Sequence, residues 1–329
     1  MRSLSQGKIT DRFSLELVGS EGQAHFYIRT QKKYRNLVES SIYAQYPDAE
    51  VVEVPDYTQN FPRVIPNRDW DLYGADFEFT KEDAYPIKCY DKFEEDITGT
   101  MIDPLAGLVE VMGALTSGQH IWYQFIVEAL SETHRKDEYA LVQKIAGRNG
   151  STSKGFFGHL IEVLTHIPKG IFGEVEFPGA AKVEQMPLEF KLTPVEKDVL
   201  KAIEENLGKN AFKTKLRFIY LGKREGFQKP YVSAFMGALK QFNDLNYNNF
   251  KFSDRSKTYA NYFFTKPRVE FRKRLLYRRY KTRNMDGVKM ILSTKELASL
   301  FHFPDMNVKA PSLQRTEAKR GTAPSNLPI

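Results

Sequence analysis

Two successive segments of the chain share one order of local patterns, and this order limits the possible folds. In the first segment, residues 12–30 alternate apolar and polar side chains about a glycine-containing turn, which predicts a β-hairpin. A helical pattern follows over residues 31–45 and ends before Pro47, because proline cannot continue a helix. Residues 50–54 then have the pattern of a strand.

The second segment repeats this order of two strands, a helix and a strand. Residues 75–80 and 85–90 have strand patterns, and Asp103–Pro104 predicts a helix start, because an acceptor side chain precedes proline in the first turn. Residues 121–127 predict the last strand. The order favours the α+β class, with an antiparallel or mixed sheet and two related halves, and a ferredoxin-like arrangement is one candidate.

Changes in composition divide the chain into an N-terminal domain and three parts that follow it. Residues 1–130 form the predicted N-terminal domain, and the pattern weakens over residues 131–190, which we interpret as an insertion or linker. A second α+β domain is predicted over residues 191–303, because capping-box signals begin helices at Thr193 and Ser293. Its other predicted elements are strands at 211–221 and 261–264, a helix at 230–242 and a basic helix at 266–283, before an extended, proline-containing tail at 304–329.

The positive charge of the chain is concentrated in one stretch. Residues 266–283 carry nine lysines and arginines against the single acid Glu270, a net charge of +8, whereas the whole chain carries +7. A cationic surface of this kind contacts phosphates without reading base sequence, since each lysine or arginine releases condensed counterions. The stretch predicts a nucleic-acid-binding site made of Arg268, Arg272, Lys273, Arg274, Arg278, Arg279, Lys281 and Arg283.

The same stretch also has a structural interpretation. Val269, Leu276, Tyr277 and Tyr280 share one side of a helical projection, which suits a helix packed between other elements with its arginines at the rim. The two tyrosines are candidates for stacking on bases, although packing in a core is the more common place for such side chains. Because no known DNA-binding motif accompanies the charge, both interpretations stay open.

Composition excludes several other classes of protein. The single cysteine, Cys89, excludes a disulfide framework, and the six histidines show no ligand spacing around it, so neither a metal nor a cofactor is expected. No apolar run approaches the ~20 residues of a membrane-spanning helix. The first residues also lack the apolar core of a signal peptide, and we therefore expect a cytoplasmic protein.

No motif predicts catalysis. Residues Gly147–Gly155 are rich in glycine and serine, but Lys154 precedes glycine where a phosphate-binding loop requires serine or threonine. The acidic run Glu94–Asp96 fits a solvated surface, because paired carboxylates do acid–base work only where burial separates their pKa values. The chain is therefore not expected to be an enzyme.

Short motifs along most of the chain carry a family resemblance. They are Arg12–Glu16, His25–Arg29, Ile42–Glu50, Glu82–Ile87, Asp103–Gly107, Leu192–Lys197, Arg217–Tyr220, Ser293–Pro304, Lys309–Lys319 and Ala323–Ile329. Together they resemble the region that precedes the motor domain in coupling and type IV secretion ATPases of the HerA and FtsK superfamily. Such proteins continue into a Walker A loop and a RecA-like core, whereas this sequence stops at Ile329.

The resemblance implies a non-catalytic N-terminal module of a DNA-transfer ATPase. The module would dock on the secretion assembly at the cytoplasmic face of the inner membrane, or position DNA for the motor. Its expected partners are the ATPase, the membrane assembly and DNA. An oligomer is expected only through association with the motor domain. Two alternatives remain, a stand-alone nucleic-acid-binding module acting through residues 266–283 and a protein-interaction scaffold.

Overall fold

One antiparallel sheet dominates the computed structural model, which describes residues 11–93, 103–130 and 193–303. Seven strands form the sheet within these ranges. They are β1 (Arg12–Ser20), β2 (Gln23–Arg29), β3 (Trp70–Phe79), β4 (Gln119–Ala129), β5 (Ala211–Lys223), β6 (Phe250–Phe252) and β7 (Met290–Ser293). The predicted α+β class is confirmed, and the sheet is of the antiparallel type.

The strand order is β2-β1-β4-β5-β3-β6, with β7 paired to the first residues of β5. The long strand β5 lies at the centre, where it pairs with β4 along Phe212–Gly222 and with β3 along Arg217–Lys223. Both neighbours come from the first 130 residues, so the two predicted domains contribute strands to one shared sheet. This differs from the expected two-halved N-terminal domain, because strand pairing joins segments that lie far apart in sequence.

Six helices accompany the sheet in the described ranges. They are α1 (Arg35–Gln45), α2 (Ala106–Gly113), α3 (Pro194–Leu207), α4 (Pro230–Leu239), α5 (Thr265–Lys281) and α6 (Thr294–Leu300). Both predicted capping boxes are present, with Thr193 paired to Glu196 and Ser293 paired to Glu296. None of these helices is both long enough and apolar enough to cross a bilayer.

Each face of the sheet has its own core, because side chains alternate between faces along a strand. On one face, Tyr123 and Phe218 pack with α2, α4 and α6 in the larger cluster. On the other face, Trp122 and Ile219 pack against α5 alone among the helices. The basic helix therefore covers this face of the sheet together with Tyr57, Phe61 and Ile65 of the segment before β3.

Three predicted strands are wrong. Residues 50–54 form no strand, and the preceding helix α1 buries none of its residues, so the expected strand–helix–strand unit is absent there. Residues 85–90 form turns and irregular structure, and residues 261–264 lead as a turn into α5. The predicted helix after Asp103 begins at Ala106, with the Asp103 carboxylate accepting from the Leu105 amide. The predictions made for the acidic run 94–96, the insertion or linker 131–190 with its loop 147–155, and the tail 304–329 lie outside the described residues.

Candidate nucleic-acid interface

The inner side of α5 is part of the hydrophobic core. Leu276, Tyr277 and Tyr280 are at most 3% exposed. The ring of Trp122 lies 6.1 Å from that of Tyr277 and 5.0 Å from that of Tyr280, and the Tyr277 hydroxyl donates to the Pro62 carbonyl at 2.8 Å. Burial raises the pKa of both tyrosines, so both hydroxyls stay protonated. These two tyrosines are core residues and present no face to a base.

A row of buried polar side chains crosses the sheet beneath the C-terminal end of α5. Glu16 on β1, Gln124 on β4, Arg217 on β5 and Asp76 on β3 stand directly opposite one another in the strand register. The Gln124 amide donates to Glu16 at 2.9 Å, and Arg217 donates to Gln124 at 3.1 Å and to Asp76 at 2.8 Å. All four side chains are therefore joined through hydrogen bonds in one continuous row.

The same row binds the end of α5. Arg217 donates to the carbonyls of Arg279 at 3.0 Å and Asn284 at 3.1 Å, and Gln124 donates to the carbonyl of Tyr280 at 3.2 Å. The last carbonyls of a helix lack partners within the helix and carry partial negative charge, so a cation there is stabilising. Arg217 thus fixes the basic helix to the centre of the sheet.

Arg283 closes this network from above. The backbone of Arg283 is in the left-handed region, with φ 50°. Its guanidinium donates to Glu16 at 2.9 and 3.1 Å and to Asp56 at 2.5 and 3.0 Å. Burial alone would lower the pKa of Arg283, but the two carboxylates outweigh it and the pKa is raised. Burial likewise opposes the charge of Asp56, yet its hydrogen bonds with Arg283 keep its pKa below the ordinary value.

The buried charges of the network balance one another. Lys215 completes it, donating to Asp76 at 2.6 Å and to the Val288 carbonyl at 2.7 Å. Buried ions persist in proteins where opposite charges and hydrogen bonds satisfy them. Three acids face three cations here, Glu16, Asp56 and Asp76 against Lys215, Arg217 and Arg283. Across the described residues no cluster of histidine, cysteine, aspartate and glutamate side chains could hold a metal ion.

Four of the eight predicted site residues have partners within the fold. Arg283 belongs to the buried network, and Lys273 donates to Asp71 at 2.6 Å with its side chain only 14% exposed. Arg268 and Arg272 donate to backbone carbonyls of the loop that precedes α5. The positive charge of these four side chains is directed inward or along the protein surface.

Of the other four predicted residues, two are exposed and two are half-buried. Arg274 and Arg278 are exposed, and Arg274 makes only a solvent-exposed helix pair with Glu270 at 3.5 Å. Arg279 is half-buried. Lys281 is also half-buried, and burial lowers its pKa. Arg274 and Arg278 are therefore the predicted residues best placed to meet an external anion.

A groove runs beside these two arginines. Arg63 and Val64, both exposed, form one wall of the groove, and Phe271 and Leu275 of α5 line it with Arg274, Arg278 and Lys281. No local pattern points to Arg63, because it lies in an irregular, proline-rich loop whose position relative to α5 depends on the tertiary fold. The candidate interface is thus a groove lined by both cationic and apolar side chains.

The described chain is an α+β protein in which a basic helix covers one face of an antiparallel sheet and keeps part of its charge in solvent. By sequence it belongs to the family described as Domain of unknown function (DUF8128), which matches residues 3–316. Comparison with curated proteins and with solved structures gave no significant match.

Proposed function

We propose that this chain is a non-catalytic module that holds nucleic acid through the outer side of α5. The observation that carries the proposal is the division of charge on this helix. Its inner cations are neutralised by Glu16, Asp56 and Asp71, whereas Arg274 and Arg278 stand in solvent beside Arg63. Cations without buried partners are free to replace the counterions of phosphates.

Binding of this kind is expected to be independent of base sequence. Phosphate contacts position a nucleic acid, and only contacts to base edges specify it. The body of α5 is packed against the sheet along Leu276, Tyr277 and Tyr280. Only the outer side of this part of the helix can contact DNA, so it cannot lie in a groove of the duplex as an isolated recognition helix does. The proposal is thus a positioning surface for the nucleic-acid backbone.

The setting we propose follows the resemblance of the motifs. The module would act beside the motor of a type IV secretion or conjugation ATPase, at the cytoplasmic face of the membrane assembly, and hand DNA to that motor. In this arrangement ATP hydrolysis belongs to the motor and not to this chain. A steady rate of ATP hydrolysis by the purified chain would contradict the non-catalytic part of the proposal.

Fluorescence anisotropy with labelled duplex and single-stranded DNA tests the binding. About four phosphate contacts should weaken duplex binding roughly 100-fold between ~50 and ~200 mM salt. The double variant Arg274→Glu, Arg278→Glu removes two of these contacts, so the slope of log affinity against log salt should fall by about 2.

The matched control is Lys201→Glu, Lys209→Glu, which makes the same change of charge at two exposed lysines on α3 and just after it. Lys201 also has a helix partner, Glu205 at 4.0 Å, as Arg274 has Glu270. The control should keep the wild-type slope. Equal effects of the two double variants would show that only net charge matters, and the assignment to α5 would be wrong.

The exposed apolar side chains that line the groove favour a second candidate function. Phe271 is 66% exposed and Val64 is 49% exposed between the cations. An acidic, amphipathic segment of a partner protein would match both features, which is the scaffold alternative. In that case Phe271→Ser would weaken the protein contact as strongly as Arg274→Glu, whereas DNA affinity would depend on the arginine alone.

A further inference from the structure

The loop before α5 displays three consecutive aromatic side chains to solvent. Tyr262 is 87% exposed, Phe263 84% and Phe264 80%. All residues from 261 to 268 are exposed, so the segment projects from the surface as an aromatic tip. Scattered exposed apolar residues are ordinary on protein surfaces, but three adjacent exposed rings form a contiguous patch of the kind that marks a binding site.

The fold holds this tip in place. Arg268 donates to the carbonyls of Asn261 at 3.1 Å and Phe263 at 3.4 Å, across the turn. At the base of the loop, Thr258 exchanges hydrogen bonds with Gly74 of β3 at 3.0 and 2.9 Å. The tip is therefore tied both to α5 behind it and to the sheet below it.

The backbone of the tip is strained at two of its three aromatic residues. Tyr262 has φ 69° and Phe264 has φ 53°, both in the left-handed region that bulky side chains rarely adopt. Strain of this kind persists only where the surrounding structure enforces it, and it is concentrated at functional sites. A fold that maintains both strain and apolar exposure at one tip indicates that the tip meets an apolar environment.

Cations surround the aromatic tip. Lys266 and Arg268 are exposed on its C-terminal side, and Arg255 is exposed and Lys257 half-buried on its N-terminal side, whereas the acids Asp254 and Glu270 lie on either side of the same segment. Aromatic rings at a tip with lysine and arginine behind them match the interface of an anionic bilayer, where rings enter the acyl boundary and cations meet the lipid headgroups.

We propose that the tip formed by Tyr262, Phe263 and Phe264 inserts into the interface of an anionic lipid membrane. The rings do not form a stacking platform, because none of the three contacts another ring in the described part of the chain. Adjacent residues of a turn point in different directions, which suits a bilayer interface that accepts rings in any orientation better than a strand of stacked bases.

This membrane site is separate from the proposed nucleic-acid surface. Arg278 lies fourteen residues beyond Phe264, which corresponds to about 21 Å along a helix. The same rigid helix would thus carry a membrane contact at its N-terminal end and the groove near its C-terminal end. Failure of either proposal leaves the other intact, because each depends on different side chains.

Vesicle sedimentation tests the proposal with vesicles of phosphatidylcholine alone and of equal parts phosphatidylcholine and phosphatidylglycerol. The wild-type chain should bind the anionic vesicles and bind the neutral ones much less, since each cation near an anionic surface raises affinity about fivefold. The variant Phe263→Ser, Phe264→Ser should bind anionic vesicles at least about tenfold more weakly, because two rings lose their burial.

Leu245→Ser is the matched control, because this side chain is 92% exposed outside the tip. It should bind the anionic vesicles as the wild type does. Equal binding by the double serine variant, or no binding by the wild type, would overturn the proposal. Loss of single-stranded DNA affinity in the serine variant with vesicle binding unchanged would also overturn it, and would assign the tip to nucleic acid.

A direct readout of insertion uses the intact loop. In Phe263→Trp the new indole should shift its emission to shorter wavelength when anionic vesicles are added, because it leaves water. The native tryptophans, Trp70 and Trp122, belong to the hydrophobic cluster beneath α5 and should contribute a constant background. An emission maximum that stays unchanged while the protein sediments with the vesicles would show that the tip does not enter the bilayer.

Discussion

Replacing Arg283 by methionine should destabilise the fold severely. The guanidinium makes four hydrogen bonds to Glu16 and Asp56, and the Glu16 side chain is fully buried. Methionine fills much of the same volume but leaves two carboxylates without their cation. Breaking a buried ion pair by removing one partner costs about 3–5 kcal/mol, a large part of the ~5–15 kcal/mol that stabilises a typical domain.

Urea unfolding followed by circular dichroism measures this loss. With an m-value of about 2 kcal/mol/M, the midpoint of Arg283→Met should fall by roughly 2 M. Arg274→Met is the control, because its carboxylate partner is solvent-exposed, and its midpoint should change little. The double variant Glu16→Gln, Arg283→Met removes one charge of each sign and should recover at least half of the loss.

We attribute the expected loss to burial of the ions and not to the number of hydrogen bonds. A loss below about 1 kcal/mol for Arg283→Met would be typical of a surface ion pair and would refute it. Additive effects of Glu16→Gln and Arg283→Met would also refute it, because two side chains that neutralise each other in a buried site must show coupling.

Two further predictions concern the sheet. Burial lowers the pKa of His120 to about 4, so the unfolded chain binds the additional proton and stability falls as pH drops from about 6.5 to about 4. His120→Phe should lack up to roughly 3 kcal/mol of this dependence in urea unfolding at several pH values, and parallel pH curves for variant and wild type would contradict it. Gly74→Ala should cost about 1–3 kcal/mol, because the new methyl would lie 2.4 Å from the Phe218 carbonyl oxygen and 2.8 Å from Leu276. Gly237→Ala, whose methyl meets nothing within 4 Å, should leave the urea midpoint unchanged or raise it.

Local signals predicted much of the secondary structure. The capping boxes at Thr193 and Ser293 marked two helices correctly, because each depends on side chains only three residues apart. The hairpin at 12–30 and the strands at 121–127 and 211–221 were also correct, since the pattern of apolar and polar residues over a few positions is sufficient to indicate a strand.

The arrangement of these elements was not predictable in the same way. No local pattern indicates that β5 lies between β4 and β3, because pairing depends on residues about 80 to 150 positions apart. Lys215 and Arg217 alternate with apolar residues and resemble a solvated strand face, yet both are fully buried. Their shared partner Asp76 lies on the distant strand β3, so composition alone gives no sign of the charge balance.

The candidate site was predictable only in part. The stretch 266–283 was correctly recognised as a basic helix, because charge density and helical periodicity are properties of the sequence. Which of its cations face solvent depends on the tertiary partners, such as Asp71 for Lys273. Arg63 reaches the groove from a loop that precedes α5 by about 200 residues, and no local pattern indicates a contact over this separation.

The central position of β5 has a consequence for synthesis of the protein on the ribosome. When residues 1–130 have emerged, β4 and β3 each still lack the neighbour that β5 provides. The nascent chain must keep these strand edges unpaired until residue 223 has left the exit tunnel, and exposed edges invite pairing with other chains. The sheet can therefore be completed only after β5 has been synthesised. Until then, folding depends on the open edges of β3 and β4 being kept from pairing with other chains.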